Sequence, residues 1–136
     1  MAANVRFLNP NTLAKPPGYT YVVETSGPGR TVYIAGQLGL DLDNKIVGAP
    51  GDFRAQATKA IENLQAALAA VGAGLSDVVK ITTYIVNYNP EHRAIIGKAR
   101  AAFFPTEMPP ASTLVGVAAL AMPEWLVEIE AIAVVD

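Results

Sequence analysis

The chain has 136 residues, of which 51% are hydrophobic and 16% charged, and it carries a net charge of −2. This length suits one domain over residues 1–136, and the balance excludes an intrinsically disordered chain. Ten Lys and Arg stand against 12 Asp and Glu. They form no basic stripe, so nucleic-acid binding is disfavoured.

There is no Cys, which removes disulfides, thiolate nucleophiles and Cys-based zinc sites. Residues 1–9 lack the apolar stretch of a signal peptide, and no apolar run approaches the ~20 residues of a membrane span. A cytoplasmic protein without membrane contact is expected. The charged fraction falls below the roughly 25% of ordinary domains. Even after discounting 23 Ala, the apolar content exceeds what a monomer of this size comfortably buries. Apolar interfaces between subunits are therefore expected.

Pro16, Pro17 and Gly18 mark an irregular approach to the first strand, expected at 21–25. Gly27-Pro28-Gly29 turns the chain into a second strand at 30–37. Asp43-Asn44 sits between two short apolar runs, as a hairpin turn would. Residues 52–71 carry Phe53, Ala57, Ala60, Ile61, Leu64, Leu68 and Val71 at helical spacing. Asp52 can cap this helix and Gly72 can close it. Residues 78–87 are β-branched and aromatic, hence a strand. Pro90-Glu91 opens a second helix with Ile95, Ile96, Ala99, Ala102 and Phe103, and Pro105 begins the loop that ends it. Strands at 112–120 and 126–135 follow, joined by a loop with Pro123, and are expected to pair as a hairpin. The order gives an α+β fold, a mixed sheet with two helices on one face. The other sheet face is apolar too and has no helix to cover it, so it is expected to pack against other subunits.

Most catalytic signatures are missing. Gly27-x-Gly29 leads into a strand and lacks the third glycine of a dinucleotide fingerprint. No phosphate loop or nucleophile elbow occurs. The single His, His92, reads as a solvent-facing helix residue without triad partners. One His and no Cys make a transition-metal site improbable. What remains is the last strand. Period-2 geometry puts Glu128 and Glu130 on one face with Leu126, Ile132 and Val134, and Val127, Ile129, Ala131 and Ala133 on the other. Two carboxylates in an apolar strand are either solvated or paired, or one acts as an acid–base group on water.

The sequence resembles the RidA family, also called YjgF or L-PSP endoribonuclease. The resemblance rests on Gly18-Tyr19, Tyr33-Ile-Ala-Gly-Gln37, Ala55-Gln56-Ala57, Asn63-Leu64 and the run from Val71 to Lys80. Ala102-Phe103-Phe104, Pro110-Ala111-Ser112-Thr113 and the run from Val127 to Val134 complete it. It implies a chorismate-mutase-like fold in a homotrimeric barrel, with small-metabolite clefts between subunits. It also implies hydrolysis of reactive enamines and imines to carbonyl compounds and ammonia, with no cofactor and no metal.

Carried over by position, Glu128 is the catalytic water-positioning group. Tyr19, the turn Ala35-Gly36, Ser112 and Leu114 line the cleft. Ser112 stands where the family has an Arg that grips the substrate carboxylate. A Ser cannot supply that planar two-point clamp, and no Lys or Arg lies between Ala111 and Val127. An atypical substrate, or one bound differently, is therefore expected; a non-catalytic metabolite-binding or protein-interaction module is the alternative.

Overall fold

The computed structural model describes residues 4–16 and 18–136; Pro17 and the first three residues of the amino-terminal stretch lie outside them. In chain order the elements are β1 (Asn4–Leu8), β2 (Val22–Ser26), β3 (Arg30–Leu38), α1 (Phe53–Ala69), β4 (Val78–Val86), α2 (Pro90–Phe103), β5 (Ala111–Val117) and β6 (Val127–Val135). β1 and β2 form a separate antiparallel pair. β1 has no counterpart in the sequence reading. It is short, and only its partner 14 or more residues away stabilises it.

The main sheet has the order β3–β6–β4–β5. β5 does not pair with β6 as a hairpin. It runs parallel to β4, joined to it through α2, while β6 lies antiparallel between β3 and β4. The reason is the crossover. A strand–helix–strand connection returns the chain parallel to its first strand, so β5 takes one edge of β4 and β6 pairs with the other. β5 also ends at Val117, short of the expected Leu120.

The helix over residues 52–71 forms as Phe53–Ala69, with Ala70 as its cap residue. Asp52 accepts from the Ala55 amide at 3.0 Å. Gly72 takes a φ of 75°, the left-handed turn that closes a helix. Its buried face (Phe53, Ala57, Ala60, Ile61, Leu64 and Leu68) packs on Ile81, Ile85, Val127, Ile129 and Ile96 from α2. Burying Leu64 or Ile61 stabilises by about 1.5–3 kcal/mol each. Both helices lie on one face of the sheet, as expected. The expected turn at Asp43-Asn44 also forms, with Leu40 bridging Ile46 and Asn44 at φ 61°.

Gln56 is fully buried among these apolar groups, yet both its polar ends are satisfied. Its amide donates to the Glu124 carbonyl at 3.1 Å and its oxygen accepts from the Leu126 amide at 3.0 Å. This ties the start of β6 to α1 and so fixes the segment that carries Glu128. His92 is not a free surface residue. Its Nδ1 accepts from the Asn89 amide at 3.2 Å, and its ring lies 4.4 Å from that of Phe53. It caps α2. Among the described residues no helix is long and apolar enough to cross a membrane.

Candidate functional site

β6 alternates as the sequence implies. Val127, Ile129, Ala131, Ala133 and Val135 are buried under the helices, and Glu128, Glu130, Ile132 and Val134 are half-buried on the opposite face. The two glutamates differ in surroundings. Glu130 accepts a hydrogen bond from the Tyr84 hydroxyl, and this contact raises the Tyr84 phenol above its ordinary value. Lys80, on the same face, donates to Thr113 Oγ1 at 2.9 Å and to Thr82 Oγ1 at 3.2 Å. Burial pushes its ammonium down, against the pull of Glu130. Glu130 thus belongs to a polar network across three strands.

Glu128 makes no hydrogen bond in that network, although it faces Tyr84 across the ladder and its charge adds to the rise of the Tyr84 phenol. Between Ile34 and Gln37 the register of β3 against β6 shifts by one, so Ala35 and Gly36 together face Glu130. This is a β-bulge, which re-aims backbone and side chains locally. The Glu128 carboxylate fills the space over Gly36: a Cβ there would sit 1.8 Å from Oε2. Glycine is required here by the carboxylate, not by a backbone angle. Among the described residues Glu128 makes no hydrogen bond or ion pair. The structure therefore brings Glu128, Ala35 and Gly36 together on the open face of the sheet.

The other candidate residues gather elsewhere. Tyr19, Ser112 and Leu114 line a cavity of about 670 Å³ between α2 and the β5 edge. Ser112 pairs in register with the buried Ile81, which places it on the helix-facing side. Tyr19 is held at the mouth by its neighbour. The Thr20 amide donates to the Pro110 carbonyl at 3.3 Å, its hydroxyl donates to the Pro109 carbonyl, and Thr20 bridges Ala111. Tyr19 stacks edge-on against Tyr21 at 5.5 Å, and its hydroxyl raises the Tyr21 phenol. Neither Glu128 nor Gly36 lines this cavity. In one chain the candidate residues form two groups on opposite sides of the sheet.

One cavity residue escaped the sequence reading. Arg100 of α2 donates from Nη1 to Ser112 Oγ at 2.9 Å. Its guanidinium lies 5.7 Å from the centre of the Phe104 ring, and burial lowers its pKa. Arg100 lies 12 residues upstream of Ser112, on the facing helix. The available signal was Arg93, Gly97 and Arg100 at i, i+4 and i+7, one face of a helix. All three line the cavity.

The chain matches the model of the family described as endoribonuclease L-PSP over residues 12–135. It is 39% identical over 109 residues to a 2-iminobutanoate/2-iminopropanoate deaminase of Dermatophagoides farinae, covering 79% of this chain and 80% of that one. A Mus musculus protein of the same description is 36% identical over 105 residues, 77% of this chain and 74% of its own. Among solved structures, a Rid-family protein of unknown function from Yersinia pestis superposes with a TM-score of 0.86 at 40% identity, covering 96% and 98% of the two chains. TdcF of E. coli with bound serine matches with a TM-score of 0.68 at 30% identity, over 82% and 91%. On this match across residues 12–135 and these identities, the chain belongs to the L-PSP endoribonuclease family, the family also known as RidA or YjgF.

Proposed function

We propose that the protein hydrolyses reactive imines, and enamines after their tautomerisation, to carbonyl compounds and ammonia, in clefts formed where subunits of a homotrimer meet. The observation that carries this reading is the Glu128 carboxylate seated over the bulge at Gly36, with no partner among the described residues. Two relatives described as imine deaminases support the reaction class.

A carboxylate positioned on an open face can accept a proton from water as that water's oxygen attacks the imine carbon. The tetrahedral adduct then expels its nitrogen as ammonia. The proton held by Glu128 passes to the nitrogen, and as the C–N bond breaks the adduct's hydroxyl proton follows it through the same carboxylate, so ammonia leaves and the carbon keeps its oxygen as a carbonyl. Nothing is oxidised or reduced. The substrate is held differently from the family's usual manner, because Ser112 occupies the position of the strand Arg.

The separation of the two groups of residues supports the assembly. Glu128 with Ala35 and Gly36 lies on the open face, and Tyr19, Ser112 and Leu114 lie at the β5 edge. An edge of one subunit against the open face of the next unites them. Tyr33, 77% exposed on that face, and its neighbours Ile132 and Val134 would be covered.

The test is ammonia release from 2-iminobutanoate generated in situ, above its spontaneous decay. Turnover lost in Glu128→Gln is the expected result; an unchanged rate in that variant removes Glu128 from the chemistry. Sedimentation should give three chains per particle, and a monomer would overturn the assembly.

A further inference from the structure

The cavity between α2 and β5 is electrostatically one-sided. Arg93 and Arg100 line it and no Asp or Glu does. Gly97 lies between them on the same helix face and leaves open space where a side chain would stand. Arg100 is the inner of the two. Its Nη1 is spent on Ser112 Oγ, and its Nε is buried with no hydrogen-bond partner. No acidic side chain pairs with it among the described residues. A desolvated cation without a counter-ion costs free energy that folding alone does not return. Structural arginines are ordinarily completed by a carboxylate or by several carbonyls; this one is held by a single hydroxyl and an aromatic ring. Ser112 accepts from the guanidinium, so its own hydroxyl proton is left to donate. The pair therefore offers a cation and a donor to whatever enters the cavity.

We infer that Arg100, oriented by Ser112, is the carboxylate anchor of this cleft, so that the substrate is an imino acid anion held from the crossover helix and not from the strand. The inference rests on the imine-hydrolysis reading for the substrate's reacting carbon, but the anchor itself is a binding claim and is tested separately. Arg93, exposed at the rim, adds to the attraction without being the seat of the carboxylate.

The probe is 2-oxobutanoate, a stable carboxylate of product type, titrated calorimetrically beside uncharged 2-butanone. The wild-type protein should bind the first and not the second. Arg100→Met should weaken 2-oxobutanoate binding about tenfold or more, the scale of a lost charge-assisted contact. Arg100→Lys should recover part of it, and Arg93→Ala should cost only a few-fold. The deciding variant is the double change Arg100→Met with Ser112→Arg, which returns the cation to the strand and should restore binding. Melting curves on every variant separate lost binding from lost folding.

If Arg100→Met binds 2-oxobutanoate as the wild type does, or if 2-butanone binds equally well, the anchor is overturned. Imine turnover in Arg100→Met with an unchanged KM overturns it too, and leaves the hydrolase reading standing. Binding that depends on Arg100, in a protein that releases no ammonia from any imine, upholds the anchor and overturns the hydrolase reading.

Discussion

The two halves of the candidate site are built by opposite means. The anionic half is a defect in a ladder: one extra residue in β3 makes the bulge at Ala35-Gly36, and the Glu128 carboxylate occupies the room a side chain would take. The cationic half comes from a regular connection, the β4–α2–β5 crossover, whose helix and returning strand face each other across a cavity. The first half tolerates almost no change, because a single carbon atom displaces the working group. The second can exchange the element that supplies its charge, because helix and strand both reach the same space.

The sharpest way to separate the halves is Glu128→Gln. It removes the proton acceptor and leaves the cavity intact, so turnover should fall by about 10²–10⁴-fold while 2-oxobutanoate binding holds. Loss of both together would mean that the halves are not independent. Gly36→Ala comes next. Its Cβ would meet Glu128 Oε2 at 1.8 Å, and the far end of a flexible side chain gives way more easily than the sheet. Turnover should drop about 100-fold, as for a misplacement near 1 Å, with the melting temperature nearly unchanged. A large fall in melting temperature would show that the bulge itself was broken.

Gln56→Leu probes the tie beneath the anionic half. It removes the partner of the Glu124 carbonyl and the Leu126 amide, which are only partly buried, so each costs about 1 kcal/mol, the low end for a group left unpaired. Denaturant midpoints should fall accordingly, and turnover more than cavity binding. The smallest effect belongs to the Asp43-Asn44 turn, remote from both halves. Backbone amides of Lys45 and Asp43 hold the Asp41 carboxyl below its ordinary value of 3.8. A lowered carboxyl contributes stability present above 3.8 and lost as pH falls through the folded-state value. Asp41→Asn should therefore be slightly less stable than wild type at neutral pH, and the difference should vanish in strong acid.

What was legible in the sequence was local or periodic. Asp52 and Gly72 bracket α1, and the alternation of β6 separates Glu128 from Ile129 without any knowledge of partners. What was not legible depends on pairing across the chain. Adjacent strands suggested a hairpin, yet β5 answers to β4, because the intervening helix sets its direction. Ser112 looked like a vacated charge position for the same reason: the Arg that meets it is on another element, and only the crossover brings them together. His92 looked idle because its role, capping with an imidazole nitrogen, is invisible without the Asn89 backbone. The bulge at Gly36 has no signature beyond the glycine itself.

The clasp at Thr20 bears on time as well as on place. Both of its acceptors, the Pro109 and Pro110 carbonyls, lie about 90 residues along the chain from it. The segment it holds touches the main sheet through one bridge, to Ala111. With two hydrogen bonds and one bridge, the clasp has few contacts, and local unfolding begins where contacts are few. Releasing this clasp frees Tyr19 from the cavity mouth while every ladder of the four-stranded sheet stays closed. The contacts that place Tyr19 beside the cavity are thus separate from the ladders that hold the four-stranded sheet.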